Sequence, residues 1–586
     1  MFKISSVGPE PVFTSRINGD AFQGQMISPW YPADTAMELK VGGWINSNPD
    51  LHLYLEIDDN GAVRNKRYEG ETPGHSNTNI WKIANLSSEG QRYRIVAKDL
   101  SSAPCGWFSV SLPKTAKSGM PYIIVTMSAL GLAVCFFLSR RLFTKFLIVV
   151  VLAALFTFKG YYPGNQADVV RSDGVGYYAY LTMIFLDKDL SFKTRLEKND
   201  HPKTHNHAFY YPETDKYSVV YTGGLAVLQL PFFGSACALS ALIDSPLFPL
   251  TGYSYYFYCF VNLAGLFYLL AGLIIQYKLL RKFVDDFNAT LISTVILFGT
   301  NLFSYAVADA SLTHVYSFSL ISLFILLTTH FYDTESRSRR WAISVAIGAL
   351  LGIIAMVRTV NVIIVFFFLL YGVWRFSDLK TSLKTYFWHY LAAALASVAF
   401  FLPQMLYWRY TAGSFLINSY GDTGILFNWT SPFVKEVLFS INNGLLFWTP
   451  IWILAPLGLY FIGRYDKRWL YPLTAVLLIH LYITSSWSCW WYGCSFGKRP
   501  FVDVLAILAI CLAAIIKFLK ERRMIRTYHA LMAAFLISGA RNIILMFGFW
   551  FMTYRCDNAA PGEIMGTYAL FFSNLARFIQ NTGFLP

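Results

Sequence analysis

Charge is scarce in this chain. Asp, Glu, Lys and Arg make up 14% of its 586 residues, against 55% hydrophobic. So few charged groups cannot dress the surface of soluble cores large enough to hide that much apolar material, which excludes an ordinary globular protein. Cysteine is scarce too, with eight residues and no CxxC spacing, so no zinc motif or dense disulfide framework is encoded. Cys489 and Cys494 flank an aromatic turn and could pair on an oxidising side; the reading adopted is of small, half-buried residues. The amino terminus, Met1-Phe2-Lys3-Ile4-Ser5-Ser6, lacks the apolar core of a secretory signal, so sorting is expected to rest on internal spans.

What the chain has in abundance is long apolar runs, with a mean hydropathy of +0.43. From residue 119 they recur at about 17 to 24 residues, each long enough to cross about 30 Å of hydrocarbon as a helix. They fall at 119–138, 142–160, 252–275, 286–305, 309–331, 341–357, 359–375, 386–408, 446–463, 469–486, 500–518 and 528–551. The formal net charge of +14 is not a nucleic-acid signature. The basic residues sit in short segments between apolar runs: Arg140, Arg141, Lys145; Lys278, Arg281, Lys282; Arg337, Arg339, Arg340; Lys520, Arg522, Arg523, Arg526. That is the positive-inside pattern of a polytopic membrane protein.

Residues 1–118 read differently. Leu51-His52-Leu53-Tyr54-Leu55-Glu56-Ile57 and Arg92-Tyr93-Arg94-Ile95-Val96-Ala97 alternate with period two, and Asp58-Asp59-Asn60-Gly61 carries a hairpin signal. An N-terminal all-β, sandwich-like domain is expected; Trp30, Trp44, Trp81 and Trp107 could stack on sugar rings, and the reading adopted places them in its core.

Segment 218–243 is apolar enough to span but contains Gly223, Gly224 and Pro231. Counting it as a crossing would put Lys278, Arg281 and Lys282 on the side of the Asp173 loop. Leaving it out returns every basic cluster to the cytoplasm. It is therefore read as lying in the interface, within one external loop at 161–251 that is too long to be a mere connector. This topology faces Asp173, His314, 409–445, 487–499 and the tail 552–586 outward. It also puts residues 1–118 outside, ahead of the first span.

Within the loop, Ser172-Asp173-Gly174-Val175-Gly176-Tyr177-Tyr178 opens a helix in which Tyr177, Tyr180, Leu181 and Ile184 share a face, giving an amphipathic helix against the membrane. Asp173 reads either as a helix cap or as a working carboxylate, with Asp168 as a second candidate. His201, His205 and His207 are close enough together to make a divalent metal conceivable, although their spacing is not diagnostic. Asp309, His314, Arg358 and Asn361 sit at span ends, where ionisable groups cost about 2.5 to 3.5 kcal/mol and so tend to face a cavity. Arg358 is either a phosphate ligand or an anchor that snorkels to the interface.

Several patterns together resemble bacterial membrane glycosyltransferases of the GT-C superfamily, the polyprenyl-phosphate-sugar-dependent enzymes related to family 39. They are Ser172-Asp173-Gly174 with Gly176-Tyr177-Tyr178, Lys216-Tyr217 with Gly223 through Pro231-Phe232-Phe233, and Thr313-His314-Val315-Tyr316-Ser317-Phe318. Later come Pro403-Gln404, Tyr420-Gly421-Asp422, Asn443-Gly444-Leu445-Leu446-Phe447-Trp448-Thr449-Pro450, and Trp490-Trp491-Tyr492-Gly493 with Ser495-Phe496-Gly497. The likeness covers roughly residues 142–551.

The resemblance implies a multi-pass enzyme of the bacterial inner membrane, with about 12 transmembrane helices and a site facing the periplasm or exterior. Its catalytic carboxylate maps onto Asp173, with Asp168 in reserve. Arg358, Lys498 and Arg499 are expected to hold the phosphate of a polyprenyl-phosphate sugar donor. His314, Tyr177, Trp491 and Tyr492 are expected to line the substrate site, with Trp448 and Trp490 as further aromatic faces. The acceptor would be an envelope glycan, lipid or protein. The β-domain departs from the usual pattern, as does Val360, which stands where a proline is expected. The competing reading is a transporter of lipid-linked saccharides or ions, against which the lack of an internal repeat counts.

Overall fold

The computed structural model describes strands between residues 3 and 115, then residues 139–161, 169–198, 207–243, 250–253, 255–419 and 426–582. The chain divides into two compact units, Met1–Ala133 with Tyr162–Asp168, and Val134–Tyr161 with Val169–Pro586.

The first unit is built of two antiparallel sheets, one six-stranded and one five-stranded. The alternation read from the sequence appears at the centre of the smaller sheet. Strand Leu51–Asp59 lies between Arg92–Asp99 and Ala62–Arg67. Leu51, Leu53, Leu55 and Ile57 are buried, as are Tyr93, Ile95 and Ala97 on the neighbouring strand. Asp59 pairs with Ala62 at the end of the ladder between these two strands. Cross-strand pairs Arg92 with Asp58 (2.8 Å) and Arg94 with Glu56 (2.7 Å) fix the register. Trp81 lies in strand Gly74–Ile83. Trp30, Trp44 and Trp107 fall outside the described residues.

The second unit is helical. Seven helices among the described residues are long and apolar enough to cross a membrane: Gly224–Ile243, Tyr256–Leu280, His314–Asp333, Arg337–Val357, Phe387–Ala412, Lys467–Ser486 and Ile525–Trp550. Six of the twelve expected runs are among them, with Gly224–Ile243 as the seventh, and three further runs contain backbone breaks that hydropathy does not register. Run 286–305 becomes Asp286–Phe298 and Leu302–Val307, 359–375 becomes a 3-10 turn Thr359–Ile364 followed by Val365–Leu370, and 446–463 becomes three short pieces. Runs 142–160 and 500–518 are single helices, Leu142–Tyr161 and Leu505–Glu521. Run 119–138 lies outside the described residues.

The breaks are internally satisfied. The Asn542 amide donates to the carbonyls of Phe298 (2.9 Å) and Thr300 (2.6 Å), capturing acceptors that the interrupted helix frees. Segment 218–243, read as interfacial, holds the single helix Gly224–Ile243, which continues through Pro231. The helix opened by Asp173 runs Asp173–Thr182, and Gly174 through Thr182 are all buried. It is therefore enclosed rather than amphipathic, which corrects the expectation from its spacing.

The loops sort onto two ends. At one end Lys282 meets Asp333 (3.5 Å), Arg468 meets both Asp333 (3.2 Å) and Asp466 (2.8 Å), and Lys520 meets Asp285 (2.5 Å). Helix His314–Asp333 finishes at that end and Arg337–Val357 starts from it. Their far ends, His314 and Arg358, lie about 30 Å away by the rise of some 20 residues.

Candidate active site

Asp173 is presented by a strained turn. Ser172, just before it, has φ 51° and ψ −136°, a left-handed conformation that disfavours side chains, and its side chain makes no cap hydrogen bond. Gly174 permits the close approach that follows, since a Cβ there would stand 2.2 Å from Ser311 Oγ. Arg171 adds a second tie, bonding Asp309 through Nε (2.9 Å) and a terminal nitrogen (2.7 Å). The loop before the helix is thereby locked to 309–314.

The Asp173 carboxylate is not a helix cap. One oxygen accepts from the Tyr221 hydroxyl at 3.1 Å, and the other pairs with Arg499 at 2.9 Å. Its side chain remains 28% exposed, and that of Arg499 14%. The Tyr177 and Tyr221 rings pack against each other at a tilt of 41°, with centroids 4.6 Å apart.

Arg499 belongs to a turn braced from several sides. The Asn443 amide donates to the carbonyls of Trp491 and Gly493 (both 3.1 Å) and to Ser495 Oγ (3.2 Å). Asn301 donates to the Phe496 carbonyl at 3.0 Å, so the broken helix at 299–301 holds this turn in place. Cys494 is joined by a disulfide to Cys556, while Cys489 is free, which replaces the considered Cys489–Cys494 pairing. The bridge closes a 62-residue separation. Reducing it, or making the paired Cys494→Ser and Cys556→Ser change, is expected to cost about 2 to 4 kcal/mol of stability. Thermal unfolding with and without reductant checks this, and an unchanged midpoint contradicts it.

Four residues beyond Arg499 lies a second carboxylate that sequence reasoning did not select. Asp503 is fully buried; it meets His314 Nδ1 at 2.8 Å through one oxygen and accepts from the Asn361 amide at 2.9 Å through the other. Arg358 Nε stands 3.4 Å from that second oxygen. His314 and Arg358, both expected in the substrate site, are thus gathered around a partner not foreseen. Tyr221 was also missed, and no local pattern marks it.

Burial works against the Asp173 charge, but Arg499, the Tyr221 hydroxyl, His207 and His314 outweigh it and hold the carboxyl below its usual range. Burial likewise works against the Arg499 charge, and Asp173 more than restores it, raising the guanidinium above its usual range. Tyr177 is pushed up to about 12 by burial and by Asp173, so it is a neutral donor at ordinary pH.

Lys498 makes no ion pair with Asp173 among the described residues. Its ammonium donates to the Trp490 carbonyl at 2.7 Å and faces the rings of Trp490 (5.2 Å) and Tyr492 (5.7 Å). Burial pushes it down to about 7. A lysine lowered in the folded state binds fewer protons there than unfolded, so stability rises with pH above that value. Relative to Lys498→Met, the wild type is expected to gain up to about 1.4 kcal/mol per pH unit between about 7 and 10. A pH-independent difference in unfolding midpoint would contradict this.

Tyr492 lies 5.9 Å from the Arg499 guanidinium, and Trp491 is half-buried beside it. Trp448 is core: it is 3% exposed, with its indole nitrogen on the Ile441 carbonyl. Asp168, His201 and His205 lie outside the described residues, and His207 is buried beside Tyr221. Among the described residues no three His, Cys, Asp or Glu side chains are grouped to hold a metal.

No family model and no curated protein matches the chain. Among solved structures it is similar to the oligosaccharyltransferase AglB of Archaeoglobus fulgidus in complex with an inhibitory peptide and a dolichol-phosphate. The identity is 15% and the TM-score 0.39, covering 69% of this chain and 55% of that one. A second structure of the Archaeoglobus fulgidus oligosaccharyltransferase, with zinc and sulfate, gives 15% and 0.39 over 67% of this chain and 53% of that one. The chain spans about half the length of these proteins.

Proposed function

We propose that the chain is a GT-C-type membrane glycosyltransferase that moves a monosaccharide from a polyprenyl-phosphate carrier to an envelope acceptor on the extracytoplasmic face. The observation that carries this reading is one ionised, partly open carboxylate, Asp173, placed against a guanidinium, with a second guanidinium, Arg358, on the neighbouring span end. Asp173 takes the proton from the acceptor hydroxyl while that oxygen bonds to the anomeric carbon. The bond from that carbon to the phosphate oxygen breaks, and its electron pair leaves with the phosphate. Arg499 and Arg358 hold that growing charge. Trp491 and Tyr492 offer flat faces to sugar or isoprenoid.

Two observations support the sidedness. The basic loops gather at the end opposite Asp173, as cytoplasmic loops do. The Cys494–Cys556 bridge lies on the Asp173 side, where an oxidising compartment would preserve it. The helix Gly224–Ile243 is read, on the same charge argument, as lying in the interface. Ser172→Cys is expected to react with a membrane-impermeant thiol reagent from the extracytoplasmic side alone; labelling from the cytosol would reverse the assignment.

The interrupted helices at 299–301, 358 and 449 favour a second reading, since transporters place their sites at such breaks. Purified protein in liposomes with a radiolabelled polyprenyl-phosphate sugar separates the two. Label joined covalently to acceptor supports transfer, and label moved across the bilayer unchanged supports transport.

A further inference from the structure

Arg499 is the residue on which both parts of the site depend. It pairs with Asp173 at 2.9 Å, yet its Nε is buried and makes no hydrogen bond among the described residues. Arg358 Nε, though 3.4 Å from Asp503, also lacks hydrogen-bond geometry. A buried guanidinium N–H without an acceptor is costly, and each is a charged donor. The two face a site whose described charges otherwise balance: Asp173 against Arg499, Asp503 against Arg358, Asp309 against Arg171. An anion entering this site finds donors to spare, while Lys498, a cation beside Arg499 that no carboxylate pairs among the described residues, is bonded to the Trp490 carbonyl. The cation that stands against the proposed base is the guanidinium already committed to Asp173.

We infer that Asp173 and the phosphate of the lipid donor compete for Arg499, so that the donor's arrival draws Arg499 from Asp173 onto the phosphate and frees the carboxylate to accept a proton. This deepens the glycosyl-transfer reading and rests on it. Paired with Arg499, Asp173 is a weak base, because its negative charge is already compensated. Released, it keeps the Tyr221 hydroxyl as its positioning partner and recovers basicity at the moment an anomeric carbon stands beside it. The seat is never empty: the carboxylate occupies it between turnovers, and the phosphate during them. The chain thereby avoids exposing an unpaired buried guanidinium, which would be the costlier resting state.

The competition makes a counterintuitive forecast. Removing the charge of Asp173 should abolish transfer and at the same time tighten binding of the carrier, because the phosphate no longer has to displace a rival. The experiment measures equilibrium binding of a polyprenyl monophosphate to the full-length chain in nanodiscs. Asp173→Asn is expected to bind about tenfold more tightly than the wild type, the reciprocal of the fraction of Arg499 free to receive the phosphate. Asp173→Asn combined with Arg499→Gln is expected to lose that gain. Equal affinity in wild type and Asp173→Asn, with transfer lost in the variant, overturns the competition while leaving Asp173 as the base. Absence of binding by either protein overturns the competition and the function together.

Discussion

Asp173→Asn is expected to slow sugar transfer by about 10²- to 10⁴-fold, the usual contribution of a positioned general base. The substitution keeps the shape of the side chain and its capacity to accept from the Tyr221 hydroxyl, 3.1 Å away. It removes the group that receives the acceptor's proton. Thermal unfolding reads the folded state separately, because the substitution leaves the Arg499 guanidinium, 14% exposed, without its carboxylate. The loss should fall on kcat, since the missing interaction belongs to the transition state, while the apparent affinity for donor improves. Asp173→Glu carries the carboxylate one methylene farther from a helix start locked by Ser172 and Gly174, so it should restore only part of the rate. Steady-state transfer with purified protein in lipid measures all of this. A wild-type kcat in Asp173→Asn removes the residue from the chemistry.

Much of the architecture was legible because apolar length is an additive signal. The period-two strands around Leu51 and Arg92 and the helices at 309–331, 386–408 and 528–551 follow from composition and spacing alone. Helix breaks were not legible, because Thr300, Asn301 and Thr449 are mild polar residues that barely lower a hydropathy average. Their effect comes from distant partners, Asn542 and Phe496 in the case of the first break. Asp173 was found from its place at a helix start, but whether it capped that helix depended on Arg499, 326 residues away in sequence. The pairing of Cys494 with Cys556 could not be deduced, since spacing does not specify connectivity. Asp503 could have been found. It lies inside the apolar run 500–518, and the insertion cost applied to Arg358 applies equally to a carboxylate there.

That carboxylate governs the other large effect. Asp503→Ala is expected to destabilise the helical unit by about 3 to 5 kcal/mol, the cost of stripping a buried charge of its counter-ion. Asp503 is 0% exposed and engages His314 and Asn361 while facing Arg358, so its removal leaves a guanidinium and two polar side chains without their acceptor. Replacing the pair together, Asp503→Leu with Arg358→Met, removes both charges and should recover most of that loss, because apolar substitutes of similar volume often serve as well as a buried ion pair. Activity should separate from stability in this pair of variants. The recovered protein still lacks the Arg358 guanidinium and should transfer sugar poorly, with the deficit in kcat as the leaving phosphate goes unsupported. Thermal unfolding in detergent alongside transfer assays decides the matter. If Asp503→Ala melts with the wild type, the carboxylate is not holding the buried cation; if the double variant transfers at the wild-type rate, Arg358 serves the fold and not the phosphate.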